Sequence, residues 1–107
     1  MAKRIQFEYK EKSYTLQFTR SVVEKMEEDG FDVTEVQSKP VTMIPKLFRY
    51  SFLAKQHDVD PNLTDEILSN LEDKSGLIEQ LSVMYLETVN TLFGEPSKNA
   101  IKWKKLN

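Results

Sequence analysis

The feature that most constrains the fold is a change in hydrophobic period near Phe18. Before that point, apolar residues alternate with polar ones in two short runs, Ile5, Phe7 and Tyr9, and then Tyr14, Leu16 and Phe18. Alternation at period two is typical of half-buried strands, so residues 3–18 are predicted to form a β-hairpin. The connection from Lys10 to Ser13 lacks the Asn-Gly or Asp-Gly pair that favours a two-residue turn. A longer or bulged loop therefore stays open.

After the hairpin, apolar residues recur at helical spacing, and turn residues divide them into four segments. Helices are predicted at about residues 20–29, 45–57, 64–73 and 76–93. Thr19 or Ser21 is expected to cap the first helix, Thr64 the third and Ser75 the fourth. A lone hairpin is marginally stable in water, so it has to pack on the helices. The expected fold is α+β and mostly helical, with an N-terminal β-hairpin packed on a bundle of about four α-helices.

The segment 45–57 has the widest apolar surface of the predicted helices. Pro40 and Pro45 bracket its start, and Pro45 suits the first turn of a helix. Its apolar residues span roughly 200° of the helical circumference, about twice the stripe of a surface helix. This width predicts a central helix that is contacted from several sides. The remaining sector holds Lys46, Arg49 and Leu53.

The C-terminal residues differ in charge from the rest of the chain. From Glu95 onward there are four lysines and one glutamate, a net charge of +3, whereas the whole chain carries −2 and the remainder therefore −5. Ile101, Trp103 and Leu106 are interleaved with these lysines. We predict a single globular domain over residues 1–95 and a basic, Trp-containing tail over residues 96–107.

Few residues are suited to catalysis or to metal binding. The chain has no cysteine and one histidine, His57, and its three glycines are too far apart for a phosphate-binding loop. Oxygen-bearing side chains alternate from Asp58 to Glu66, but an EF-hand loop needs Gly and Glu where this segment has Leu63 and Ser69. A turn and a helix cap explain the segment better. The sequence predicts no enzyme, no cofactor and no metal site.

Neither a membrane segment nor an export signal is predicted. No apolar run approaches the roughly 18 residues of a membrane span, and no apolar stretch follows the N-terminal charges. The chain is therefore expected not to be secreted. Its net negative charge also speaks against general attraction to nucleic acid.

Exposed apolar side chains are the better clue to function. Leu53 lies in a polar sector of its predicted helix, and Val83 lies on an otherwise polar face. Three interpretations of the tail stay open: it is solvated and pinned by Trp103, it orders on a partner, or it contacts phosphates weakly. Protein contact is favoured, and a homo-oligomer stays open. The predicted partner-binding residues are Leu53, Arg49, Val83, Ile101, Trp103 and Leu106.

The opening stretch IQFEYKEKSYTLQFTRSVVEKMEEDGF, residues 5–31, resembles a family of small phage proteins. Those proteins begin with a hairpin, a Phe-Thr-Arg entry to a helix, a Met-Glu and a Gly-Phe. The resemblance continues more loosely through IPKLFRYSFLAKQH, residues 44–57, and LTDEILSNLEDKSGLIEQLSVMYLETVNTLF, residues 63–93, to a Trp-bearing tail. One departure is the turn, where family members tend to have a glycine and this chain has Lys10-Glu11-Lys12.

The family is similar to tail assembly chaperones of long-tailed phages and prophages of Gram-positive bacteria. The resemblance implies a chaperone in the host cytoplasm that binds the tape measure protein and recruits tail tube subunits, and that is absent from the finished virion. It assigns no catalytic residue. Two alternatives stay open: a structural tail or connector component that remains in the virion, and a small nucleic-acid-binding regulator that uses the basic tail.

Overall fold

A computed structural model describes residues 3–56, 58–94 and 99–106. It confirms the α+β, mostly helical fold, with an antiparallel N-terminal hairpin followed by four helices within the described residues. A short 3-10 helix, Val33–Glu35, lies between the first and second α-helices. The elements in chain order are β1 (Ile5–Tyr9), β2 (Lys12–Leu16), α1 (Arg20–Glu28), α2 (Pro40–Ser51), α3 (Pro61–Asn70) and α4 (Lys74–Asn90).

The hairpin closes with a two-residue turn, although the sequence left a longer loop open. Tyr9 pairs with Lys12, so only Lys10 and Glu11 turn the chain, and their φ angles are 50° and 65°. Positive φ at both positions is what a type I′ turn requires, and it costs a residue other than glycine about 1–2 kcal/mol. Contacts with α3 offset this strain, because the Tyr9 hydroxyl donates to the Glu66 carboxylate and Lys10 Nζ lies 3.2 Å from the same group.

An aromatic cluster joins the hairpin to α2. The Phe7 and Tyr14 rings stack at 5.4 Å, and both meet the Phe52 ring edge-on at 6.1 and 5.7 Å. Phe48 meets Phe52 in the same way at 5.0 Å. Edge-to-face pairs of this kind add about 0.5–1.5 kcal/mol each to the burial of apolar area. The hairpin therefore packs on the bundle through aromatic contacts, as its marginal stability in isolation requires.

Helix α2 begins at Pro40 and ends at Ser51, so the prediction of residues 45–57 was wrong at both ends. Pro40 takes the first helical position, where no backbone N–H is needed. Pro45 consequently lies inside the helix. The hydrogen bond that it cannot donate would end at the carbonyl of Val41, a residue that is 87% exposed, so water can replace the bond.

Helices α3 and α4 also begin earlier than predicted, because aspartates cap them instead of Thr64 and Ser75. The Asp60 carboxylate accepts from the Asn62 N–H, and that of Asp73 accepts from the Gly76 N–H. Thr64 is buried within α3, and its hydroxyl donates to a backbone carbonyl in the preceding turn. Ser75 lies inside α4, which ends at Asn90 and not at residue 93. A Cβ at Gly76 would collide with the Asp73 carboxylate, so this cap needs a glycine there.

Helix α4 packs on the bundle through one face and leaves its other faces free to form surface. Leu81, Met84 and Tyr85 are buried. The Tyr85 ring meets the rings of Phe18 and Phe31 edge-on at 5.9 and 5.1 Å. These contacts fix the position of α4 against α1 and the loop that follows it.

A second group of contacts fixes the C-terminal end of α4. Arg20 Nε donates to the Thr91 hydroxyl at 3.0 Å, and its Nη2 donates to the Thr91 carbonyl at 3.2 Å. The Thr88 hydroxyl also lies within hydrogen-bonding distance of the Phe18 carbonyl, at 3.4 Å. The start of α1 therefore contacts the end of α4 through hydrogen bonds from Arg20.

Candidate partner-binding surface

Exposed apolar side chains concentrate toward the C-terminus of the described chain. Within the described ranges, every large hydrophobic residue that is exposed, apart from Val41, lies at or after Val83. Single exposed apolar residues are ordinary, whereas a run that continues from a helix into a tail indicates a contact surface. The residues are Val83, Leu86, Leu92, Phe93, Ile101, Trp103 and Leu106.

An open groove lies between α2, α3 and the N-terminal half of α4. Its volume is about 690 Å³, and we call it the apolar groove. Lys74 and Glu79 are its charged lining residues and cancel each other, while Gln37, Ser75 and Ser82 supply the remaining polar surface. The apolar lining consists of Val36, Pro40, Ile44, Leu68 and Ile78. A groove of this composition can bind apolar groups, and it does not select a partner by the sign of its charge.

A second groove follows the C-terminal half of α4, opposite α1 and the loop after it. It consists of two adjoining depressions of about 520 and 390 Å³ that share Glu27 and Val89, and we call it the acidic groove. Its apolar lining includes Phe31, Val33, Leu86, Val89 and Leu92. Its charged lining consists of Glu24, Glu27, Asp32, Glu35 and Arg20, a net charge of −3.

Two residues that line the acidic groove, Tyr85 and Asp32, have shifted pKa values. Burial raises the pKa of the Tyr85 hydroxyl, and the nearby carboxylates of Glu27 and Asp32 raise it further. The pKa of Asp32 is lowered because its carboxylate accepts from the Thr34 hydroxyl at 2.6 Å and the Thr34 N–H at 2.9 Å. Glu35 is partly neutralised by Lys39, whose Nζ lies 3.1 Å away. The groove therefore keeps a negative potential at neutral pH.

Four of the predicted partner-binding residues lie on this exposed C-terminal surface. Val83 is 39% exposed and lies one turn from Leu86 on α4. Ile101, Trp103 and Leu106 are 78–91% exposed, so the structure does not have Trp103 pinning the tail to the body. The predicted tail residues 96–98 lie outside the described residues.

The other two predicted residues, Leu53 and Arg49, line neither groove. Leu53 is half-buried and packs against the core, so its predicted exposure was wrong. The reason is that α2 ends at Ser51 and the chain tightens: the Leu53 N–H bonds to the Tyr50 carbonyl, three residues back. This changes the direction of the side chain from the one that regular helical spacing predicts. Arg49 forms an ion pair with Asp65 at 3.9 Å.

No group of three or more acidic, histidine or cysteine side chains within residues 3–56, 58–94 and 99–106 is arranged to hold a metal ion. The segment considered as a calcium loop has other functions, since Asp60 caps α3 and Glu66 binds Tyr9 and Lys10. His57 lies outside the described residues. Among the described helices, none combines the length and the apolar character that crossing a membrane requires.

Comparison with known proteins identifies a family but supplies no characterised relative. No curated protein matches the chain, and no solved structure matches it. One family model matches residues 1–106, and its description is "Domain of unknown function (DUF5055)". Because this match covers nearly the full length, the chain belongs to the DUF5055 family.

Proposed function

We propose that the chain is a tail assembly chaperone of a long-tailed phage or prophage. It keeps the tape measure protein soluble and helps to recruit tail tube subunits to it. The sequence resemblance described above motivates the proposal. The observation that carries it is the open apolar groove beside α4, which adjoins an exposed helical surface.

The apolar groove suits the apolar face of an amphipathic helix, the form in which a long helical client presents its hydrophobic residues. Grooves between helices bind such faces through anchors spaced three or four residues apart. Each anchor that buries a Leu-sized side chain contributes about 1.5–3 kcal/mol before the cost of association is subtracted. A groove of about 690 Å³ holds few anchors, which suits a contact that tube subunits can displace.

Co-expression with a tape measure fragment tests the proposal. We expect the wild-type chain to raise the soluble fraction of the fragment, and Ile78→Asp to abolish this effect because it places a carboxylate in the apolar groove. Val41→Asp is the matched control, since it places the same carboxylate at a residue that is 87% exposed and lines neither groove. Circular dichroism and thermal unfolding establish that both variants fold. The proposal fails if the fragment is no more soluble with the wild-type chain than without it.

The exposed basic tail favours one other function, a small nucleic-acid-binding regulator. Lys102, Lys104 and Lys105 surround the exposed Trp103, and aromatic residues among cations stack on bases in single-stranded nucleic acid. A salt titration with short DNA separates the two functions. Binding that weakens steeply with salt supports the regulator, and no binding at about 50 mM salt excludes it.

A structural component that remains in the virion would use the same exposed surface and differs from a chaperone in its fate. Mass spectrometry of purified particles separates the two. We expect the chain to be absent from mature particles while it is present in lysates of infected cells. Stoichiometric amounts in the particle would favour the structural role.

A further inference from the structure

The described part of the tail has a composition that is unusual for a solvated segment. Within residues 99–106, three lysines are interleaved with Ile101, Trp103 and Leu106. These three apolar side chains are 78–91% exposed. A large exposed Trp flanked by other apolar residues is typical of a segment that becomes ordered on a binding surface. Because the tail also carries lysines, we expect the surface that it binds to be acidic.

The acidic groove has the complementary composition. Its apolar lining residues, which include Phe31 and Leu86, can contact large apolar side chains. Its rim carries four carboxylates and one guanidinium, and Lys39 pairs with one of these carboxylates, Glu35, at 3.1 Å, so the rim stays net negative beside the +3 of the described tail. The guanidinium of Arg20 donates to Thr91 and keeps its positive charge, so it opposes part of the negative charge of the rim. Charge and apolar surface therefore both match between the groove and the tail.

We propose that the acidic groove is the docking site for the C-terminal tail of a second copy of this chain. The structure of the single chain contains both the groove and the tail, and there the tail side chains remain exposed and do not fill the groove. The inference depends only on the groove and the tail, so it stands or falls separately from the chaperone function.

Two copies that exchange tails form a closed assembly. Each tail occupies the groove of the other copy, which makes the contact two-fold symmetric and ends the association at a dimer. Trp103 is the expected anchor, because interface energy concentrates in large aromatic residues that enter apolar pockets. The lysines contribute mainly to orientation and to the rate of association, since exposed ion pairs add little affinity.

Sedimentation and tryptophan fluorescence of the isolated full-length chain test the proposal, with no tape measure protein present. Trp103 is the only tryptophan, so its emission reports on the tail alone. We expect the average mass to rise from monomer to dimer with concentration, and the Trp103 emission to move to shorter wavelength over the same range. A blue-shifted emission at all concentrations with a monomeric mass would mean that the tail docks in its own chain, and would overturn the proposal. A monomer with no shift would overturn it as well.

Three variants locate the contact. Trp103→Ala is expected to raise the concentration for half-dimerisation by about 30-fold or more, as truncation of an anchor does. Glu27→Lys in the groove is expected to raise it about two- to fivefold. Glu72→Lys is the matched control, because it makes the same charge change at an exposed residue that lines neither groove, and we expect no change. A dimer that Trp103→Ala leaves intact would place the interface elsewhere and contradict the proposal.

Discussion

The two grooves lie along the same helix, yet they differ in charge. The N-terminal half of α4 lines the apolar groove with α2 and α3, and the C-terminal half lines the acidic groove with α1 and the loop after it. Helix α2 contains no acidic residue, whereas α1 supplies Glu24 and Glu27 to its groove. The difference therefore comes from the opposite walls and not from α4. One helix can thus present two surfaces that select different partners.

The largest effect is expected from a substitution in the core of α4, the helix that lines both grooves. Leu81 is fully buried at the middle of α4, and Leu81→Ala leaves a cavity where it packed. We expect a loss of about 2–5 kcal/mol in the free energy of unfolding, measured with urea. Client binding and self-association should both weaken, because α4 supports both grooves. Loss of only one activity would mean that the grooves do not depend on α4 equally.

A crossed pair of variants separates the grooves. Ile78→Asp is expected to weaken client binding by tenfold or more, roughly the effect of removing an interface anchor, and to leave dimerisation unchanged. Leu86→Asp, in the lining of the acidic groove, should do the reverse. Titrations of both variants in both assays measure this. If either variant weakens both interactions equally, the division of α4 into two binding surfaces is wrong.

Acidification should act on one groove only. The carboxylates that face the tail are Glu24, Glu27, Asp32 and Glu35, with Arg20 among them and Tyr85 beneath, whereas the apolar groove has one acidic lining residue, Glu79. Self-association should weaken in acid, because the carboxylates of the acidic groove lose the charge that attracts the lysines of the tail, and client binding should change less. Sedimentation from neutral to acid pH, compared with a client titration at each pH, measures the difference. Equal pH dependence of the two interactions would contradict the assignment.

The stability of the folded chain is also expected to depend on pH, through Asp32. Its pKa is lowered in the folded protein by the hydrogen bonds from Thr34, so the folded state favours the ionised form. The resulting stabilisation is present above the pKa that Asp32 has in the unfolded chain, and it is lost as pH falls through the lower, folded pKa. Thr34→Ala should therefore reduce the melting temperature at neutral pH and have little effect below the folded pKa. A reduction that is independent of pH would have another cause.

The smallest effect is expected in the hairpin turn, which lies outside both grooves. Glu11 has a φ of 65°, a conformation that glycine adopts without a steric penalty. Glu11→Gly should raise the free energy of unfolding by about 0.5–1 kcal/mol, measured with urea, and leave both binding interactions unchanged. A change in either binding constant would show that the hairpin is coupled to α4. No gain in stability would show that the strain at Glu11 is no larger than the entropy that glycine adds to the unfolded chain.

Much of the fold could be predicted because its signals are local. Alternation of apolar residues predicted both strands, and helical spacing predicted four helices, which the structure confirms. The starts of α3 and α4 were missed because Thr64 and Ser75 have capping residue types, while Asp60 and Asp73 lie closer to the turns and form the caps. Choosing between two capping residues a few positions apart depends on how the preceding turn is packed. Sequence pattern does not contain that information.

The grooves could not be predicted because their walls come from residues far apart in the chain. Val36 and Ile78 line the same groove, as do Glu27 and Val89 in the other, and no periodicity links such pairs. The sequence did indicate the exposed half of the surface, since Val83 and Trp103 stood out as apolar residues in polar surroundings. It misjudged Leu53, because regular helical spacing does not apply after α2 ends. A receptor surface is thus harder to read from sequence than the segment that binds to it.

Hydrogen exchange of the full-length chain tests the central claim, that the two halves of α4 bind different partners, most directly. The chain would be measured when dilute, when concentrated, and when dilute with a tape measure fragment. With the fragment, we predict slower exchange in residues 36–44 and 74–82. With concentration alone, we predict slower exchange in residues 23–35, 83–92 and 99–106. The account is contradicted if both conditions protect the same segments, or if residues 99–106 exchange at the same fast rate at every concentration.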